Sequence, residues 1–228
     1  MCHYMQRRAR WFDTAIDARR KLGQRKSMEG KVTAGPADEG TRIDGRRERG
    51  RSSRKRIVAA MMDLIEGGDL MPSAARVAEE AGVGLRTVFR HFDDMDSLYR
   101  EISRIVAERI WPVITAPYAD PDWRANVRDL TRRRARVFET MLPFRLAANI
   151  KRYQSPFLMG QYAQVVTMER DLVLRLLPAE VRSDRYRVEA LCAALSFQNW
   201  RAIRQDQGLS VEDAAGVVLH MVEALIGD

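Results

Sequence analysis

GVGLRTVFRHF, residues 82–92, packs two glycines, two arginines, a threonine and a histidine into eleven positions. Gly82 and Gly84 raise the reading of a phosphate-cradling nucleotide loop. The dinucleotide fingerprint needs a third small residue three places after the second glycine, with a buried strand before the first. Thr87 stands at that position and no strand pattern precedes it, so the nucleotide reading is set aside. The spacing fits a short helix instead. Val88 and Phe92 fall on one side, while Arg86, Thr87, Arg90 and His91 project elsewhere.

The flanking residues carry regular helical punctuation. Ser52 or Ser53 can cap a helix running to about Glu66, where Gly67 and Gly68 break it. Val58, Met61, Met62 and Ile65 give that helix an apolar stripe. Ser73 is the expected N-cap of a second, shorter helix, and Gly82 its left-handed terminator. Leu85 to Phe92 form the third helix, closed by Asp93-Asp94, and Asp96 is placed to cap a fourth with Leu98, Ile102 and Ile105 on one face. Two helices, a glycine-bearing turn and a further helix are the arrangement that lays a recognition helix in the DNA major groove. Arginine forks onto guanine, threonine meets a thymine methyl or a phosphate, and histidine donates to phosphate. On periodicity alone, a solvated helix in an ordinary bundle stands as an equal alternative.

The stretch ARVAEEAGVGLRTVFRHFDDMDSLYREI (75–102) resembles the DNA-binding domain of the TetR family of transcriptional regulators. The matching pattern is Ala81-Gly82-Val83, Thr87, Phe89, Arg90, His91-Phe92 and Leu98. The stretch 194–226 is more loosely similar to the family's last two helices. The resemblance implies an all-α chain with an N-terminal three-helix helix-turn-helix DNA-binding domain over 51–100. It also implies a C-terminal helical ligand-binding and dimerisation domain over 101–228. DNA contacts are then expected from Arg54, Ser73, Arg86, Thr87, Phe89, Arg90 and His91. Three positions depart from the family pattern: Phe89 replaces a tyrosine whose hydroxyl meets phosphate, Met95 a phosphate-contacting lysine, and Gly84 a helix-capping serine.

Charge is unevenly placed. Residues 1–56 hold 17 Lys and Arg against 7 Asp and Glu, whereas the remainder holds 22 against 24. The basicity belongs to the N-terminal segment, and residues 1–50 are expected to be a disordered basic extension. Its GRRERGRSSRKR (45–56) leads into the first helix and can neutralise DNA phosphates, offsetting the three departures. The 46% hydrophobic content supports a full core, and the low aromatic share of 7% favours helix over sheet. Cys2 and Cys192 fit no disulfide or metal framework, which suits a reducing cytoplasm. IVAAMMDLI (57–65) is interrupted by Asp63 and is too short to span a bilayer, and no membrane partner is expected.

Beyond residue 100 the pattern stays helical, with expected breaks before Pro112, at Leu142–Pro143 and before Pro178. Ser155-Pro156 reads as a cap with proline at the first helical position. Ser183 is expected to open a long helix through Arg204, and Ser210 caps the last one. The resemblance places a small-molecule effector between the central helices. Candidate pocket residues are Trp111, Leu130, Arg134, Phe138, Met141, Ile150, Tyr153 and Tyr162, with Trp123, Phe157 and Met168 as further members. Most of such a stripe is ordinarily plain core. Arg134 lies inside the apolar stripe of Leu130 and Phe138, so it needs a partner, either an acidic side chain, water at the surface, or an acidic ligand. Leu191, Leu195, Gln198, Val217, Met221 and Leu225 form the candidate homodimer interface.

The expected function is therefore a ligand-responsive repressor that binds a palindromic double-stranded operator as a dimer and is released by a small-molecule effector. An architectural, non-specific DNA-binding protein using the basic arm is the alternative. An all-α enzyme lacks support: the histidines at 3, 91 and 220 have no metal-type spacing, and no nucleophile or carboxylate pair is in register. No cofactor is expected.

Overall fold

The computed structural model describes residues 39–227, with side chains described from residue 50. The chain divides into a unit of residues 1–52 and a unit of residues 53–228. Of the first unit only helical backbone from Glu39 onward is described; the arm over 1–38 lies outside the described residues. Helix α1 is Glu39–Glu66, so it starts well before the serines expected to cap it. Gly45 and Gly50 each cost a helix about 1 kcal/mol, and the arginines and glutamates around them are good helix formers.

In the second unit, α2 (Ala74–Glu80) and α3 (Leu85–His91) complete the helix-turn-helix. Ser73 Oγ accepts from the Arg76 amide at 3.2 Å, as a cap should. Gly82 turns the chain at φ +61°, in the left-handed region that side chains disfavour. Helix α4 is Met95–Ile114. Its cap is Asp94, not the expected Asp96: Asp94 Oδ1 accepts from the Ser97 amide at 2.7 Å, and Ser97 Oγ accepts from the Asp94 amide at 3.5 Å. Pro112 falls in the last turn of α4 without ending it.

Helix α5 runs unbroken from Trp123 to Lys151, through the proline expected to divide it. Proline removes one backbone donor and crowds the preceding turn, yet both flanks are clamped. Phe138 is buried in one apolar cluster and Phe144 in another, and Met141 touches both. A short 3₁₀ turn, Arg152–Gln154, leads to α6 (Pro156–Leu176), capped by Ser155 as expected. Next come α7 (Ala179–Ser183) and α8 (Arg185–Ala194), the latter opened by Asp184 and not Ser183.

The single long helix expected through Arg204 is interrupted. Ser196 Oγ takes the Asn199 amide at 3.1 Å, the donor that would otherwise continue the ladder to Leu195. Helix α9 (Phe197–Arg201) follows, then a π-type turn over Ala202–Asp206, and α10 (Val211–Ile226) capped by Ser210. The freed Leu195 carbonyl accepts from Arg134 Nη1 at 2.6 Å, and the Glu169 carbonyl accepts from Arg134 Nη2. Arg134 thus joins α5, α6 and the break after α8. Burial lowers its pKa, and the Glu169 carboxylate opposes that shift.

Two cores result. One gathers the end of α4, most of α5, the end of α6 and α8 to α10, around Phe197, Trp200 and Leu191. The other holds the helix-turn-helix core plus Phe144, Ala147 and Leu158. Among the described residues there is no strand, and no helix is long and apolar enough to cross a membrane.

Replacing Arg134 with alanine removes one donor from the buried Leu195 carbonyl and one from the part-buried Glu169 carbonyl and leaves a cavity, so urea denaturation should show a loss of about 3 kcal/mol. The exposed neighbour Arg132→Ala should stay within about 0.5 kcal/mol. Gly82→Ala meets no atom within 4 Å but must adopt the left-handed conformation, a cost of about 1–2 kcal/mol by the same measurement.

Candidate DNA-binding surface and effector domain

Helix α3 buries Val88 and Phe92 and turns the rest outward. Leu85, Arg86, Phe89 and Arg90 are exposed, with Phe89 at 48%. An aromatic ring half in water between two arginines is a poor choice for a plain solvated face. Neither Arg86 nor Arg90 has an ion-pair partner among the described residues. Thr87 is half-buried, and Ser73 is exposed at the start of α2.

Arg54 is bonded within the chain. Its Nη1 donates to the His91 carbonyl at 2.8 Å, its Nη2 to Glu101 Oε2 at 3.2 Å, and its guanidinium lies 4.3 Å from the Phe92 ring centroid. Those bonds satisfy a terminal carbonyl of α3 and tie α1 to α4, so Arg54 holds α3 in place. Burial opposes ionisation of Glu101, but Arg104 and Arg54 outweigh it and hold its carboxyl below the ordinary value.

His91 is half-buried, with Nε2 enclosed and unpartnered among the described residues. Burial, then Arg90 and Arg54, hold its pKa below the ordinary value. A base with a lowered pKa binds fewer protons folded than unfolded.

In the C-terminal domain the candidate pocket residues separate. Leu130 and Phe138 are buried in the core, and Met141 and Trp111 are half-buried. Ile150 and Tyr153, at 45% and 73% exposure, stand at the surface of the chain, apart from the buried members. Tyr162 lies under Arg152, 3.8 Å from its guanidinium, and its hydroxyl accepts from Gln198 Nε2 at 3.1 Å. Gln198, expected at the dimer face, is therefore grouped with a pocket residue. Sequence reasoning missed Arg145, which is buried, pairs with Glu169, and lies 3.9 Å from the Phe197 ring centroid.

The dimer candidates also separate. Leu191 and Leu195 are fully buried within the chain's own core and offer no surface to a partner. Val217 and Met221 are exposed on α10, and Leu225 is half-buried. Tyr186, Ala190 and Ala193 on α8 follow one helical stripe, as do Val217, Met221 and Ala224 on α10. Apart from half-buried Ala190, these residues are exposed. Asp184, Tyr186, Arg187, Ala190, Ala224, Leu225 and Gly227 line an open depression there. No cluster of metal-ligating side chains occurs among the described residues.

The contribution of His91 to stability should be complete above about pH 6.5 and fall as acid protonates the unfolded chain first. Urea midpoints between pH 7.5 and 5.5 should decline more steeply for the wild type than for His91→Asn.

No family model matches the chain, and no curated protein matches it. Among solved structures it is similar to a transcriptional regulator from Rhodococcus sp. Rha1, with a TM-score of 0.59 at 18% identity, over 76% of this chain and 95% of that one. It is also similar to the multidrug binding protein EbrR, complexed with imidazole, with a TM-score of 0.50 at 21% identity, over 74% of this chain and 88% of that one. The chain therefore shares the all-α fold of these two proteins.

Proposed function

We propose that the chain is a ligand-responsive transcriptional regulator, acting as a repressor that binds a palindromic operator as a homodimer. The observation that carries this reading is the outward face of α3, where Arg86 and Arg90 flank Phe89 with no ion pair among the described residues. Arg86 and Arg90 have the fork that reads guanine in the major groove. Phe89 has no hydroxyl for phosphate, and its exposed ring suits apolar contact with a thymine methyl. Ser73 and the amides of the first turn of α2 suit a phosphate. The exposed stripes of α8 and α10 support self-association through a two-fold axis, which would set two recognition helices about one helical turn of DNA apart.

Release requires an effector that binds a second conformation better than the DNA-competent one. The side chains joining α4 to α6 support a coupling route. Ser155 Oγ donates to Asp96 Oδ2 at 2.7 Å, Arg100 lies 4.5 Å over the Phe157 ring, and Ser103 Oγ donates to Gln161 Oε1 at 3.1 Å. A shift of α6 would be passed to α4 one turn after the recognition helix ends. The fold of the EbrR neighbour, a multidrug binding protein, is in keeping with a ligand-responsive domain.

Selection of duplexes from a random pool at near-physiological salt should recover a palindrome. Arg86→Ala and Arg90→Ala should each weaken binding to it by about 1–3 kcal/mol and relax preference at separate base positions. Recovery of no motif, with affinity collapsing as salt rises, would replace this reading with non-specific binding through the basic segment.

A further inference from the structure

Three side-chain nitrogens of the C-terminal domain are enclosed with no acceptor among the described residues: Arg145 Nη2, Arg152 Nε and Trp200 Nε1. All three are N–H donors, and among the described residues the domain leaves no enclosed side-chain acceptor in the same condition. An open buried donor costs about 1–3 kcal/mol, so a domain that keeps three of them and no acceptor is complementary to an acceptor-rich molecule.

The charge balance has the same sign. Arg134 and Arg145 are both buried, and Arg134 uses its donors on the neutral carbonyls of Leu195 and Glu169. The Glu169 carboxylate, bonded to Arg145 Nη1, is the single carboxylate bonded to either guanidinium among the described residues. Two cations against one carboxylate leave one positive charge uncompensated in a low-dielectric setting, which a monoanion would balance. The surroundings are aromatic. Phe197 stacks on Arg145, Tyr162 on Arg152, and Trp200 lies one helical turn beyond Phe197 on α9. Tyr162 and Arg152 are half-buried and so face solvent in part.

Resting on the regulator reading above, we propose that the effector is an aryl monocarboxylate. Its carboxylate accepts from Arg145 Nη2, and its ring packs against the aromatic side chains between α6 and α9. Arg134, the cation the sequence singled out, is a brace; Arg145 is the residue that recognises charge.

The test is thermal unfolding of the full chain with benzoate, phenylacetate and 2-naphthoate, each against its own primary amide. At least one acid should raise the midpoint in proportion to the logarithm of its concentration, as ligand linkage requires, with its amide inert. The double variant R145M/E169Q removes both charges, so no unpaired carboxylate is buried, and it should bind that acid on the order of tenfold more weakly or worse. Should that variant fail to fold, Arg145→Lys keeps the partner of Glu169 but loses the planar fork, and the same loss is expected. No acid exceeding its amide, or an undiminished response in the variant, overturns the proposal. A larger shift with inorganic phosphate overturns the monocarboxylate class. Wild-type binding to the selected operator duplex without any acid is measured alongside. Its failure defeats the regulator reading and leaves the carboxylate result standing, and the reverse outcome separates them equally.

Discussion

A guanidinium withdrawn from water must find acceptors, and in this chain that requirement organises the C-terminal domain. Arg134 finds them in two main-chain carbonyls, one in the middle of α6 and one at the break after α8. The break is what makes the second available. Ser196 takes the amide that would have bonded Leu195, and the released carbonyl turns to the arginine. A cation, a serine and a helix interruption distant in sequence thus satisfy one another. The edge-to-face pair of Phe138 and Phe197, 5.6 Å between centroids, closes the same junction with apolar surface.

Above this junction α5 passes from one core to the other without a break. Pro143 marks the passage, with Phe138 behind it and Phe144 ahead. The three side-chain contacts between α4 and α6 lie on the helix-turn-helix side of that point. Two hydrogen bonds and one cation–π contact thus join the start of α6 directly to α4. Under the proposed regulator reading, direct contacts of this kind suit a two-state switch, since packed cores exchange between discrete arrangements.

Much of this was legible in the sequence because it is local. Ser73, Ser155 and Ser210 announce helix starts through hydroxyl oxygens that reach an amide three residues on, and Gly82 announces a turn through the conformation it alone adopts cheaply. The inward Val88 and Phe92 and the outward arginines of α3 follow from a period of 3.6. What escaped is non-local. Nothing around Arg145 signals that Glu169, 24 residues away, will pair with it. Arg54 reads as part of a basic run, yet its acceptors are His91, 37 residues on, and Glu101, 47 residues on. Pro143 reads as a stop because the clamping of α5 from both sides is a tertiary fact. Leu191 and Leu195 share a stripe with partner-facing positions, and only packing distinguishes an inward leucine from an outward one.

The division of the cores also bears on how such chains exchange parts. A cut at residue 100 follows the reading of the sequence, but the apolar core beneath the helix-turn-helix is completed by Phe144, Ala147 and Leu158. A head grafted onto a foreign body at that cut would leave behind the side chains that close its underside. The transplantable module is discontinuous: residues 53–110 together with the end of α5 and the first turn of α6. Under the proposed regulator reading, a transplant that keeps DNA specificity must carry both pieces.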